Sequence, residues 1–395
     1  MKILIINSVI DFGSTGRICI EASEHLTKEG HDVKIAYGRL DAVFDHNSKI
    51  GYRIGNRLDV VLHAILTRLF DVHGFCSTHA TKTFINWADA YKPDVIWIHN
   101  LHGYYINVGM LFSWIKKRNF RVVWTLHDCW AFTGHCTHFS FMRCNKWKTQ
   151  CKHCPQLNQY PKSFISFTKR NFNKKRQAFS GVYNLEIVTP SLWLSKLVSK
   201  SFLNEYKTTI INNGINIDSF YKESADYFSK IPSLLNKKRI LCISSVWGPR
   251  KGLYDVLKMC SSLNKDETLV IVGKIPSGTK LPTNAYHIER TNSVDELRKI
   301  YSSCDVMFNP TYEDTFSNVN MESLSCGTPV ICYRTGGAYE MIDQSNVIEQ
   351  GDIQSALKLI RKIINKEQSY LFPDKNSFDK KIAFEKYKKL LLEGK

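Results

Sequence analysis

The sequence offers no apolar run approaching the roughly 20 residues that cross a bilayer as a helix, so a soluble or membrane-peripheral protein is expected. Its opening residues, MKILIINSVI, are apolar, but no small-residue cleavage site follows and they run straight into a glycine loop. They read as a first β-strand and not as an export signal. Without such a signal a reducing, cytoplasmic compartment is expected, where twelve cysteines stay free, bind metal or do redox chemistry instead of forming disulfides. Short-period repeats and low-complexity tracts are missing, which removes solenoids and compositionally biased linkers. The first glycine loop, Gly13-Ser14-Thr15-Gly16, does not fit Gly-x-Gly-x-x-Gly and no Walker lysine follows it, which disfavours a nicotinamide enzyme or an NTPase. Acidic residues are few beside basic ones. Thirty-six Asp and Glu against 54 Lys and Arg leave a formal charge of +18, which favours a polyanionic partner: a phosphorylated substrate, nucleic acid or an anionic membrane.

What is present is enough apolar material, 43%, for a sizeable core, and 395 residues, which favour two α/β domains over one. Lys2–Val9 reads as a strand, Ile18, Ala22 and Leu26 recur at helical spacing until Gly30, and DVKIAYG reads as the next strand, a βαβ unit. Strand-like runs at Asp94–His99, Arg121–His127 and Glu186–Thr189 continue the alternation, which predicts a parallel sheet. The pattern restarts at Arg239, with strands at Thr268–Gly273, Asp305–Asn309 and Pro329–Cys332 and a short helix over Asn318–Ser325. The expected organisation is a first Rossmann-like domain over 1–218 carrying a cysteine-rich insertion at 136–154, a polar linker at 219–238 and a second Rossmann-like domain over 239–374. A basic amphipathic segment at 375–395 is expected to pack back on the first domain through Ile382, Phe384, Tyr387, Leu390 and Leu391.

Chemistry concentrates in Thr311–Ile331. Asp314 precedes the short helix, Ser317 stands where it can cap it, and Glu322 follows about one turn in. Such a helix start suits a diphosphate, while the two carboxylates can accept hydrogen bonds from sugar and ribose hydroxyls. Solvated carboxylates flanking a helix are the plain alternative. Arg250 and Lys251 lie just past a strand end, where two cations can neutralise a leaving diphosphate; a solvated basic turn is their plain alternative. Gly13 and Gly16 permit close backbone approach of a ligand at the end of the first strand, or simply make a tight turn. His127 and Asp128 close another strand. The histidine can hydrogen-bond a sugar hydroxyl or assist proton transfer, or serve structurally, and His99, Asn100 and His102 at a further strand end are candidates for the same side.

Taken together, the segment Asp314-x7-Glu322 before Gly327-Thr-Pro-Val330, the loop Gly13–Gly16, Trp124-Thr-Leu-His127-Asp128, Thr189-Pro-Ser191, Asn213-Gly214-Ile-Asn-Ile-Asp218, Trp247-Gly-Pro-Arg250-Lys251-Gly252 and Thr335-Gly336-Gly337 resemble the family 4 glycosyltransferases of the GT-B fold, nearest to their colanic-acid and exopolysaccharide branch. The commoner form of the segment begins with Glu, where this chain has Asp314 with Glu313 beside it. The usual Arg five residues before the Lys is Val246 here, so Arg250 takes its part. The resemblance implies two Rossmann-like domains facing a central cleft and a retaining transfer of sugar from a UDP- or GDP-sugar to a glycan or polyprenyl-diphosphate-linked acceptor at the inner face of the cytoplasmic membrane. It implies no metal for catalysis and no nucleic-acid partner. The donor is expected on Gly13, Gly16, Arg250, Lys251, Asp314, Phe316, Ser317, Asn318, Val319 and Glu322. The acceptor is expected beside His99, Asn100, His102 and Asp128, with His127, Asp314, Glu322, Arg250 and Lys251 acting in catalysis.

Cys136, Cys144, Cys151 and Cys154 form Cys-x7-Cys-x6-Cys-x2-Cys, a density that suits a structural tetrathiolate zinc site, with free buried thiols or a redox pair as alternatives. Two rival functions remain: a sugar-nucleotide epimerase of the same fold, which would turn over donor without acceptor, and a zinc-containing nucleic-acid-binding protein. The spread of the basic residues along the chain and the lack of a nucleic-acid motif count against the second.

Overall fold

A computed structural model describes residues 1–40 and 50–393. The chain divides into two compact units, Met1–Ile211 together with the residues from Phe384 onward, and Asn212–Ala383. Positions 394 and 395 of the expected C-terminal segment lie outside the described residues.

The first unit runs β1 (Lys2–Ile10), α1 (Gly13–Lys28), β2 (Asp32–Leu40), β3 (Gly51–Arg53), α2 (Arg57–Phe70), α3 (Thr78–Tyr91), β4 (Val95–Ile98), α4 (Val108–Arg118), β5 (Arg121–Thr125), α5 (Thr168–Phe179), β6 (Leu185–Thr189), α6 (Leu192–Val198) and β7 (Thr208–Ile210). Its strands form one parallel sheet in the order β3-β2-β1-β4-β5-β6-β7. From Ile3 to Ile10 every side chain of β1 is buried, as helices on both faces of a parallel sheet require. The second unit runs β8 (Lys238–Val246), α7 (Leu253–Cys260), β9 (Glu267–Lys274), β10 (Ala285–Ile288), α8 (Val294–Ser302), β11 (Val306–Asn309), α9 (Asn318–Ser325), β12 (Val330–Tyr333), β13 (Val347–Ile348), α10 (Ile353–Ile364) and the start of α11 (Lys380–Leu392). Its sheet is also parallel, in the order β10-β9-β8-β11-β12-β13. Two parallel, doubly wound sheets are what the GT-B resemblance requires of this chain.

In each sheet the winding reverses beside the unit's first strand, between β1 and β4 and between β8 and β11. A crevice opens outside the carboxyl ends of strands at such a reversal, which is where open α/β sheets bind ligands.

Three expectations change. Residues 219–238 are no connector: Phe220, Phe228 and Leu234 are buried in the second unit's core, and Asp226 accepts from Arg239 Nη1 at 2.6 Å. The polarity of that stretch hides three anchors. The Gly13–Gly16 loop is the first turn of α1, so only Asp11 and Phe12 separate strand from helix. In the C-terminal segment Phe384, Tyr387, Leu390 and Leu391 are buried, whereas Ile382 is 43% exposed, because that face of the helix meets solvent. Tyr387 packs on Trp97 at a ring distance of 4.6 Å.

Candidate functional site

In the second unit the β8–α7 connection folds as a 3-10 turn over Pro249–Lys251, closed by Gly252. Gly252 has φ +78°, and a Cβ there would meet the Pro310 carbonyl oxygen at 2.2 Å, so only glycine lets this turn seat on the loop after β11. The Tyr312 N–H donates to the Arg250 carbonyl at 2.9 Å and completes the joint. The turn brings the Lys251 ammonium to 2.9 Å from Asp314 Oδ2 and the Arg250 guanidinium to 4.0 Å from the buried Glu313 carboxylate. Gly336 makes the third wall: with φ +53° its Cβ position falls 1.8 Å from the Asp314 carbonyl oxygen, and the Gly337 N–H donates to that oxygen at 3.2 Å. Arg250, Lys251 and Asp314 therefore stand together at the carboxyl ends of β8 and β11, where the sheet reverses.

Ser317 occupies the N-cap position of α9, but its hydroxyl accepts no N–H from the helix. It accepts instead from Asn309 Nδ2 at 3.1 Å, and the same amide donates to Asn320 Oδ1 at 2.8 Å. The cap expected from the sequence is thus replaced by a buried polar tie from β11, which leaves the positive end of α9 without a side-chain cap from Ser317. Asn318, the first helical residue, has a buried Oδ1 with no hydrogen-bond partner. Phe316 is buried and Val319 packs at the edge of the core, so both shape the site through packing. Glu322, partly buried, accepts from the Tyr301 hydroxyl at 2.8 Å. Burial, and then this carboxylate, hold the Tyr301 phenol well above its ordinary pKa, so it remains the donor. That bond fixes one carboxylate oxygen of Glu322.

In the first unit the acceptor-side candidates gather at the β4 and β5 ends. His99 Nδ1 lies 2.9 Å from His127 Nε2, with the rings stacked at 5.2 Å. His102 Nε2 lies 2.7 Å from Asp128 Oδ2, whose second oxygen accepts from the Trp130 N–H at 2.8 Å. Asn100 acts through its backbone, donating to Asn7 Oδ1 at 3.2 Å and accepting from the Tyr105 hydroxyl at 2.8 Å. Burial brings the His127 imidazole down to about 4, against the attraction of Asp128, and takes His99 well below the usual range, helped by His127. Near neutral pH both rings are uncharged, so one donates its N–H to the other. Burial alone would raise Asp128; the His102 ring, by charge and hydrogen bond, brings it down to about 2. β5 ends at Thr125, so His127 and Asp128 sit in the loop beyond the strand and not at its end.

Gly13 and Gly16 stand at the neighbouring β1 end. Gly13 has φ +67° and open space where a Cβ would be, whereas a Cβ on Gly16 would press on Asp11 N at 3.1 Å and Val9 Cγ2 at 3.3 Å. Gly16 therefore serves helix-to-strand packing. Sequence reasoning missed His73 and Tyr160. The Tyr160 hydroxyl reaches His102 Nδ1 at 3.2 Å, and buried His73 accepts from the Trp130 indole at 3.1 Å. The only signal they carried was residue type, histidine and tyrosine beside glycine and proline.

Comparison with known proteins bears on both halves. Residues 15–219 match the model of glycosyltransferase family 4, and residues 237–366 match that of the glycosyl transferases group 1. The Escherichia coli K12 protein WcaC, named as a colanic acid biosynthesis glycosyl transferase, is 24% identical over 367 residues, which cover 87% of this chain and 86% of that one. Among solved structures, Anabaena HepE in complex with UDP-glucose superposes with a TM-score of 0.67 at 13% identity, covering 99% of both chains. Sucrose-phosphate synthase from Thermosynechococcus elongatus gives a TM-score of 0.67 at 14% identity, covering 99% of this chain and 94% of that one.

Proposed function

Because the chain belongs to glycosyltransferase family 4, we propose that this enzyme moves a sugar from a UDP- or GDP-sugar to a glycan or polyprenyl-diphosphate-linked acceptor in bacterial surface-polysaccharide assembly, with retention of configuration. The observation that carries the reading is the meeting of Arg250, Lys251 and Asp314 with the N-terminus of α9 at the reversal of the second sheet. Two cations and a helix N-terminus bind and stabilise a diphosphate as its bond to the sugar breaks. Glu322, oriented by Tyr301, accepts from donor hydroxyls, and Asp314 holds Lys251 in register until phosphate shares it. The acceptor hydroxyl attacks on the face the diphosphate leaves, and its proton passes to that leaving group, so no covalent enzyme intermediate is needed. Uncharged His99 and His127 with the His102–Asp128 pair supply hydrogen bonds to acceptor hydroxyls. Uridine is supported by the UDP-glucose complex of the HepE neighbour, and a polysaccharide product by the relative WcaC.

Attachment to an anionic membrane belongs to the same reading. Leu58, Leu62, Ile65, Leu69 and Phe70 on α2 are exposed, and Phe164, 74% exposed, adjoins them through its N–H bond to the Arg68 carbonyl at 2.8 Å. Lys162, Lys169 and Arg170 flank that segment, and each basic group near an anionic surface adds about 1 kcal/mol.

A thermal-shift panel of UDP-, GDP-, ADP- and CMP-sugars tests the donor, since a ligand at about 100 times its Kd stabilises the fold by about 2.7 kcal/mol. A shift with UDP- or GDP-sugars, and turnover only when acceptor is added, is expected. Stabilisation by none of the four would contradict the donor site, and conversion of donor without acceptor would make the enzyme an epimerase.

A further inference from the structure

Between β5 and α5 the first unit carries an irregular insertion whose four cysteines come from separate turns. Cys136, Cys144, Cys151 and Cys154 all line one small cavity of about 10 Å³, the volume that a single water-sized sphere occupies. None of the four is in a disulfide. Cys136 and Cys154 are in side-chain hydrogen-bond contact, and Cys144 lies within electrostatic range of Cys151. The Gly134 N–H is directed at the Cys151 sulfur and the Gln156 N–H at the Cys154 sulfur, the second being the bond from two residues ahead that steadies a thiolate in a tight turn. A Cβ on Gly134 would meet Cys151 Cβ at 2.8 Å and the Thr168 carbonyl oxygen at 2.3 Å, so glycine lets the Cys136 arm close on the Cys151 arm. Lys175 is 1% exposed, donates to the Trp130 carbonyl at 2.7 Å, and has Cys136 and Cys151 in its electrostatic surroundings along with Asp128 and Asp71. Burial lowers the pKa of this amine, and the nearby thiols and carboxylates act in the opposite direction.

We propose that Cys136, Cys144, Cys151 and Cys154 bind one zinc ion as a tetrathiolate, and that the ion staples the insertion beside the His102–Asp128 cluster. Zn–S bonds of about 2.3 Å put the sulfurs about 3.8 Å apart. Among the described residues only His25, Glu29 and Glu385 bring three ligand atoms within 4.8 Å of one another, so no three of the four sulfurs are yet that close and zinc binding requires them to draw inward on the ion. That other group carries no site: its carboxylates are exposed and both already pair with Lys388. A zinc tetrathiolate carries two negative charges, which would join those of Asp71 and Asp128 around the buried Lys175 amine. The ion also joins the two arms of the insertion that lead to Trp130, whose N–H holds Asp128, and to Tyr160, whose hydroxyl meets His102. This assignment does not depend on glycosyl transfer.

Elemental analysis of untagged full-length protein, purified under reducing conditions without chelator, is expected to give about one zinc per chain. Exchange with Co²⁺ is expected to give the sulfur-to-cobalt charge-transfer and visible d–d bands of a tetrahedral thiolate site, a readout that needs no variant to fold. Cys144→Ser should lower the metal content and shift those bands, whereas Cys76→Ser, outside the cluster, should leave both unchanged. Four thiols should become reactive to a thiol reagent only after chelation. Reduced protein that takes up neither zinc nor cobalt, whether its four thiols react at once or return to two disulfides, overturns the proposal. So does zinc that survives in Cys144→Ser and is lost from Cys76→Ser.

Discussion

Twelve of the thirteen histidines precede Ile211 and one, His287, follows it, and the two candidate sites differ accordingly. The first unit's candidate site is built from His99 and His127, uncharged imidazoles tied to each other, beside the His102–Asp128 pair, groups suited to hydroxyls held by direction. The second unit's candidate site is built from Arg250 and Lys251 beside a helix N-terminus, groups suited to phosphate held by field. Burial costs His99 and His127 their protonation, while Arg250 and Lys251 stay partly exposed. Each kind of group sits where its sheet reverses, so the same topology hosts two different chemistries.

The largest expected effect separates the units by pH. His63 and His127, both lowered to about 4 chiefly by burial, bind protons in the unfolded chain well before the folded one does. Their contribution is fully present above the unfolded value of about 6.5 and is lost as pH falls from there toward 4, which amounts to about 2 kcal/mol each by pH 5. His73 and His99 are shifted in the same direction. Seven of the eight tryptophans precede Ile211, so urea unfolding followed by tryptophan fluorescence reads mainly the first unit. Its midpoint should fall between pH 7.5 and pH 5, and a flat midpoint would contradict the burial of neutral imidazoles.

Next comes the charge of the second site. Arg250→Ala combined with Lys251→Ala should lower kcat/KM for the donor by about 10²- to 10³-fold, the usual loss when donors to a developing anion are removed. Melting temperature should hardly move, because the side chains are 46% and 26% exposed. Smaller again, Glu322→Gln keeps the shape and the Tyr301 contact but weakens one charge-assisted hydrogen bond, worth about 1.5–3 kcal/mol or roughly 10- to 150-fold in kcat/KM. Parental kinetics in that variant would remove Glu322 from the site. The smallest defect is expected from Asp314→Asn, which loses the Lys251 ion pair and keeps the backbone joint to Gly336 and Gly337.

The two regions also differ in how far they could be read beforehand. The second site was legible because its parts are nearly contiguous: Asp314, the helix start and Glu322 lie within nine residues, and Arg250–Lys251 reach them through a loop that must end where β8 ends. The sheet alternation was legible because the buried parallel strands are short, largely apolar runs, with buried polar residues such as Asn7 and Glu186 as the exceptions. What stayed hidden depends on tertiary partners. Ser317 looked like a cap until Asn309, eight residues earlier, took its hydroxyl. The 219–238 stretch looked like a linker because Lys and Ser outnumber the three aromatic and aliphatic anchors that fix it. His73, Tyr160 and His102 meet across almost ninety residues, and no local pattern announces a polar cluster assembled from that distance.

The claim that the reversal of the second sheet is the donor site is tested most directly by titrating free UDP and GDP into the parent chain and Lys251→Ala by calorimetry, with His127→Ala as the first-unit control. Loss of roughly tenfold or more in nucleoside-diphosphate affinity in Lys251→Ala, with His127→Ala unchanged, is the predicted result. Equal affinity in Lys251→Ala and the parent, or a loss confined to His127→Ala, would contradict it.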